Sequence, residues 1–171
     1  MKNMEMKILQ TARLYLREMT PSDAEQVYLL NLDPEVIMHT GDGPFESVDA
    51  ARQFLTDYDH FRNYGFGRWA VIDAANEEFL GWCGLKFTPD RDEFDIGFRF
   101  FKRHWGKGFA TEAAKACIDL GFNKFQLPMI VGNVMKANLA SIRVLEKIGM
   151  QFWKVSNCGG AQGLILRIFK E

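Results

Sequence analysis

Cysteine, proline, histidine and tyrosine are scarce in this 171-residue chain, and neither sign of charge prevails. The three cysteines, Cys83, Cys117 and Cys158, are odd in number and far apart. They form neither a disulfide framework nor a metal-ligand spacing, so the chain reads as cytoplasmic, with no metal site. The three histidines, His39, His60 and His104, form no constellation with one another, which gives no triad. Twenty-one Lys and Arg against 22 Asp and Glu leave a formal charge of -1, with no electrostatic footprint for nucleic acid. No apolar run approaches the length of a membrane span, and Met1 to Lys7 is polar, without the apolar centre of a secretory leader. Low-complexity segments, internal repeats and linkers are absent. A composition of 47% hydrophobic and 25% charged residues then predicts one globular domain over residues 1–171, a monomer or a homodimer.

What is plentiful is aromatic. Fifteen Phe and four Trp predict a large aromatic core or an aromatic-lined cleft, with Trp69 and Trp82 as core or as a cleft wall. Arg13 to Arg17 alternates Leu14 and Leu16 against polar neighbours, a half-buried strand. Thr20-Pro21-Ser22-Asp23 has the chemistry of a capping box and opens a helix to about Asn31. The stretch to Phe45, with Pro34, Gly41, Gly43 and Pro44, reads as mostly loop. Ser47 caps a second helix through about Phe61, with Ala51, Phe54, Leu55 and Tyr58 on one stripe and Gly65 after its end. Strands follow at Arg68–Ile72, Phe79–Phe87 and Glu93–Phe100. In the last, Phe94, Ile96, Phe98 and Phe100 take one face, and Glu93, Asp95, Gly97 and Arg99 take the other. Gly81 and Gly84 mark bulges or close approaches. An alanine-rich helix spans Gly108–Phe122, a strand spans Met129–Met135, and Asn138 caps a helix to Ile148 that Gly149 terminates. Phe152–Val155 and Leu164–Phe169 complete an α+β fold, a mixed and mostly antiparallel sheet with flanking helices.

The densest signal is the run Arg103-His104-Trp105-Gly106-Lys107-Gly108-Phe109-Ala110-Thr111-Glu112-Ala113. Its glycines lie between a strand and a helix. Glycine lets the chain turn tightly and lets a ligand approach the backbone. The following helix aims free N–H groups and its positive dipole end into the turn, a setting for phosphate. Arg99, Lys102, Arg103, His104 and Lys107 surround it in sequence, with no acid from Arg99 to Ala110. The spacing is not that of a Walker loop, and Thr111 stands where a Rossmann fingerprint needs its third glycine.

The pattern Arg-x-x-Gly-x-Gly, Arg103 to Gly108, resembles the acetyl-CoA loop of the GNAT superfamily of N-acetyltransferases. Three other segments are similar, in the same order, to its ribosomal-protein N-terminal acetyltransferase branch. They are Thr11-Ala12-Arg13-Leu14-Tyr15-Leu16-Arg17, Asp33-Pro34-Glu35-Val36, and the run from Asn138 through Ser141 and Arg143 to Gly149. The resemblance implies a strand at Phe98–Phe100 that splays from Met129–Met135 to open a V-shaped cleft. It implies main-chain groups near Phe98, Arg99 and Phe100 against the pantetheine of acetyl-CoA. It places the amides of Arg103, Gly106, Lys107, Gly108, Phe109 and Ala110 on the pyrophosphate, and Asn138 and Ser141 toward the thioester. Asn138 can do this while also capping its helix.

The implied reaction is direct acetyl transfer from acetyl-CoA to an amine in a ternary complex. The amine attacks only when neutral, so the site must take up or relay a proton and then protonate a thiolate. Glu93 and Asp95 are candidates for base or relay, or else form an acidic surface. Relatives commonly use a tyrosine after the last motif as acid, but no tyrosine follows Tyr64 here. The role falls to Ser141, to water or to no group. His39 lines the acceptor pocket or acts as a base, or is a surface loop residue. The alternative is a module that binds acyl-CoA without turnover. The segments Asp33–Phe45 and Ser156–Gly163 are expected to set the acceptor.

Overall fold

In the computed structural model, which describes residues 6–171, eight strands form one sheet. Of the polar stretch Met1 to Lys7, residues 1–5 lie outside the described part. The strands are β1 (Lys7–Gln10), β2 (Leu14–Glu18), β3 (Arg68–Asp73), β4 (Phe79–Thr88), β5 (Glu93–Phe100), β6 (Met129–Met135), β7 (Gln151–Cys158) and β8 (Ala161–Phe169). Their spatial order is β1-β2-β3-β4-β5-β6-β8-β7. Every neighbouring pair is antiparallel except β5 and β6, which run parallel. The expected α+β class is what forms.

Helices cover both faces. On one face α1 (Ala24–Leu32), α2 (Pro34–Ile37) and α3 (Val48–Asp57) meet Tyr15, Ala70, Ile72 and Phe79 through Leu30, Val36, Ala51 and Leu55. On the other, α5 (Phe109–Asn123) and α6 (Leu139–Lys147) lie over Leu14, Leu16, Trp69, Cys83, Leu85, Ile96 and Ile130. Small residues bring α5 close to the sheet. Ala113, Ala114 and Cys117 are fully buried, and a Cβ on Gly121 would come within 2.8 Å of Ile130.

Two expectations are corrected and one is refined. The stretch to Phe45 is mostly loop, with one short helix in it: Asp33 accepts the Glu35 N–H at 2.9 Å with Pro34 in the first turn, which nucleates α2. The helix after Ser47 does not run on to Phe61. It stops at Asp57, where Tyr58 turns extended and its phenol oxygen accepts the Arg68 N–H, and α4 (His60–Tyr64) starts anew, closed by left-handed Gly65. Phe54 is consequently half exposed rather than part of the buried stripe. β7 and β8 are also longer than expected, a hairpin turned by Gly159 and Gly160, both with positive φ. The glycine readings of β4 hold: Gly81 sits at the β3–β4 register shift, and a Cβ on Gly84 would strike the Gly67 carbonyl.

The N–H of Phe87 donates to His60 Nε2 at 2.9 Å, which requires a neutral imidazole. Burial, seconded by Arg68 and Lys86, pushes His60 below its ordinary value, and burial likewise lowers His104. A histidine whose folded pKa is depressed supports the fold fully above the unfolded value of about 6.5 and loses that support as pH falls below it. Thermal midpoints should therefore fall between pH 7.5 and pH 5.5, and His60→Gln should show a lower midpoint at pH 7.5 with a shallower decline. A wild-type midpoint flat over that interval would contradict this.

Candidate active site

β5 and β6 part company. Among the described residues their only register pair is Asp95 with Val131, so the edge of β5 toward Phe98 and Phe100 is left without a strand partner there. Because the two strands are parallel, the segments that leave their carboxyl ends emerge on the same side of the sheet. Each leads into a helix, β5 into α5 and β6 into α6. The crevice outside the carboxyl ends of diverging parallel strands is where open α/β sheets hold ligands. Here it is a cleft of about 640 Å3, bordered by Phe98, Arg99 and Phe100 of β5, the glycine turn, the first residues of α5, and one side of α6.

Gly106 and Gly108 have φ of +72° and +80°, which side chains rarely adopt, so the turn depends on both. Gly108 is the N-cap of α5. Above Gly106 lies open space, with no heavy atom within 4 Å of where a Cβ would stand. Across the cleft, Asn138 caps α6 by accepting the Ser141 N–H at 3.2 Å. Two helix N-termini thus bring their free N–H groups and positive dipole ends to one crevice.

Of the residues expected at a cofactor, Phe98, Arg99, Phe100, Gly106, Gly108, Phe109, Ala110, Asn138 and Ser141 line this cleft, and so does His39. Arg103 and Lys107 do not. Arg103 lies over the Phe101 ring and pairs with Glu78 at 3.0 Å. The positive field inferred from the sequence is mostly neutralised in space. Arg99 is held by Asp42 and Asn31, Lys102 by Glu35, and Arg103 with His104 by Glu78. Arg103 holds Glu78 below the usual carboxylate range, and His104 is nearly buried. The cations that sequence reasoning overlooked are Arg143 and Lys147, which line the cleft on α6. Their i, i+4 spacing, with Val144 between them, put them on one helix face and was readable. Trp105 was also missed. It lines the cleft and donates its indole N–H to the Phe100 carbonyl at 2.9 Å.

The acids Glu93 and Asp95 lie outside the cleft lining. Glu93 pairs with Arg91 at 3.0 Å. Asp95 pairs with Arg68, whose guanidinium also donates to the carbonyls of Gly84 and Asp95 and lies over Gly97, where a Cβ would come within 2.7 Å of Arg68 Cζ. Arg68 therefore clips β3, β4 and β5 together beside the point where the sheet opens.

A second cavity of about 550 Å3 adjoins the first. Met38, His39 and Ala137 line both. Its far side is built from Met135, Lys136, Ala161 and Gln162. The tip of the β7–β8 hairpin closes on the 38–42 loop, with Gly41 and Gly159 so close that a Cβ on either would reach the other's Cα at about 3 Å.

The first motif of the chain has a structural task. Glu112, in the first turn of α5, accepts Thr11 Oγ1 at 2.6 Å, the Arg13 N–H at 3.0 Å and Arg13 Nε at 2.7 Å. Arg13 also donates to the Lys107 carbonyl at 2.9 Å and lies over the Phe109 ring. Thr11 and Arg13 thereby hold the glycine turn from behind. Glu112→Ala removes the shared acceptor of three donors, of which the Thr11 hydroxyl is part-buried, so it should lower stability in urea by about 1 kcal/mol. A loss below about 0.5 kcal/mol, the level of an ordinary surface substitution, would show that the clamp does not hold the turn.

Comparison with known proteins agrees with this architecture. The family model for the acetyltransferase (GNAT) domain matches residues 13–151. An uncharacterised Bacillus subtilis protein, YkkB, is 37% identical over 152 residues, 85% of this chain and 86% of that one. A GNAT-family acetyltransferase of Bacillus anthracis superposes with a TM-score of 0.81 at 25% identity, covering 95% of this chain and 98% of the other. The spermidine N-acetyltransferase of Vibrio cholerae, solved in complex with CoA and spermine, superposes with a TM-score of 0.79 at 20% identity over 94% of this chain and 97% of that one. The splayed sheet, the paired helix N-termini and the family match over most of the chain lead to one conclusion: the chain belongs to the GNAT acetyltransferase family.

Proposed function

We propose that the protein transfers the acetyl group of acetyl-CoA to a primary amine, with both substrates bound together. The observation that carries this reading is the junction of two cavities at His39 and Ala137. The longer cleft suits an extended acyl-CoA, and the adjoining cavity suits the amine.

The fit to acetyl-CoA is argued from the lining. The open edge of β5 at Phe98, Arg99 and Phe100 offers main-chain groups to the pantetheine amides, as an added strand would. The amides of Gly106, Lys107, Gly108, Phe109 and Ala110, at the turn and the start of α5, would take the pyrophosphate, with open space above Gly106 for it to approach. Arg143 and Lys147 give this crevice its cationic wall. Asn138 spends its carbonyl oxygen on the helix cap and keeps its amide N–H groups for the ligand. When bound, the co-substrate supplies an activated acyl group as a thioester.

The chain's own chemistry is proton management. His39 stands at the junction and takes the proton from the incoming ammonium, which makes the nitrogen nucleophilic. Ser141, in the first turn of α6, passes the proton that the nitrogen sheds on forming the amide to the departing sulfur through its hydroxyl, the task of an acid that a tyrosine performs elsewhere. Asp95 and Glu93, committed to Arg68 and Arg91, hold the strand and its charge balance rather than the reacting nitrogen.

Two measurements test this. Calorimetric titration with acetyl-CoA should give binding in the micromolar range, weakened at least about tenfold (1.4 kcal/mol) in Gly108→Val. The valine must leave the left-handed region and so distorts the turn itself. Unchanged affinity in a folded Gly108→Val would remove the glycine turn from the site. His39→Gln should lower kcat/KM by about a hundredfold. It should also abolish the rising limb of the pH–rate profile, with acetyl-CoA affinity unaltered. A retained limb assigns the proton to another group.

A further inference from the structure

Resting on the acetyltransferase reading, we propose that the acceptor is a small primary amine that carries a carboxylate, of the amino-acid class, and that Lys136 binds that carboxylate. The second cavity is where the argument lies. Met38, Met135, Ala137 and Ala161 give it an apolar wall, His39 stands at its junction with the main cleft, and Lys136 is the cation at its far side. Lys136 is fixed by its main chain: its N–H donates to the Gln162 carbonyl at 2.9 Å, tying the end of β6 to the start of β8. Among the described residues its ammonium has no carboxylate partner.

The acids that might have balanced it are spoken for. Asp33 caps α2, Glu35 pairs with Lys102, and Asp42 pairs with Arg99. Glu35 and Asp42 of the 33–42 segment are thus paired with cations, and none of the three carboxylates lines this cavity. A polycationic amine would enter past His39 and meet an uncompensated ammonium, which like-charge repulsion disfavours. An amine with a short apolar body and a carboxylate meets His39 at one end, thioether and methyl surface along its length, and Lys136 at the other.

The test compares acetyl transfer to leucine and methionine with transfer to leucinamide, methioninamide, spermidine and a hexapeptide amide. Wild type is set beside Lys136→Glu, and acetyl-CoA affinity of both proteins is measured by calorimetry. The amides have the less basic amine and are more often neutral, so the panel is biased against the proposal. Free amino acids should nevertheless show a kcat/KM about tenfold or more above their amides. Lys136→Glu should remove that preference by lowering kcat/KM on the free amino acids about tenfold or more, with the acetyl-CoA affinity within about twofold. Better turnover of spermidine, the amides or the peptide by wild type overturns the substrate class, as does an unchanged preference in Lys136→Glu. Acetyl-CoA binding without turnover of the amino acids also overturns it. No acetyl-CoA binding by wild type overturns the acetyltransferase reading itself.

Discussion

The parting of two parallel strands beyond Asp95 and Val131 governs the rest of this molecule. Parallel strands need a crossover, and here α5 supplies it across one face of the sheet. The same parallelism sends the exits of β5 and β6 to one side, so the helices that follow begin there with their unpaired N–H groups. Had the strands stayed paired through Phe100, the edge groups would be satisfied by β6 and the two helix ends would have no gap to face. The opening costs backbone hydrogen bonds that a ligand lying along β5 can restore.

What holds the opening in place is a set of clamps outside the cleft. Arg68 ties β3, β4 and β5 together over Gly97, and Trp105 caps the last carbonyl of β5. Thr11 and Arg13 reach from the start of the chain to Glu112 and the Lys107 carbonyl. These groups make the glycine turn a fixed feature rather than a mobile loop, which is how a binding site gains from preorganisation. They also explain why the sequence at Thr11–Arg17 bears so strongly on a site about a hundred residues away. Arg17 plays the analogous part at the other end of β2, pairing with Asp23 at 2.8 Å beside the Thr20 cap.

Much of this was legible in the chain because local chemistry decided it. The alternation of Phe94 to Phe100 gave the limits of β5, Asn138 and Gly149 gave those of α6, and the two glycines gave the turn before α5. What escaped was set by distant partners. The run from Arg99 to Lys107 looked uniformly basic, yet Asp42, Glu35 and Glu78 come to it from elsewhere in the fold. Asp95 looked available until Arg68 was seen to occupy it. The break at Tyr58 depended on a hydrogen bond from Arg68, which no helical periodicity encodes. The second cavity draws Met38 and His39 from the 33–45 stretch and Ala161 and Gln162 from the 156–163 stretch, the two segments expected to set the acceptor, whereas the share of Met135, Lys136 and Ala137 at the end of β6 had no local signal.

The central claim is that the gap between β5 and β6, flanked by the N-termini of α5 and α6, receives acetyl-CoA. The most direct measurement is amide hydrogen exchange with and without acetyl-CoA. The account predicts slowed exchange in three separated segments, Phe98–Phe100, Gly106–Ala110 and Asn138–Ser141, with little change in β1, β7 or α3. Protection confined to other parts of the chain, or none at saturating ligand, would contradict it.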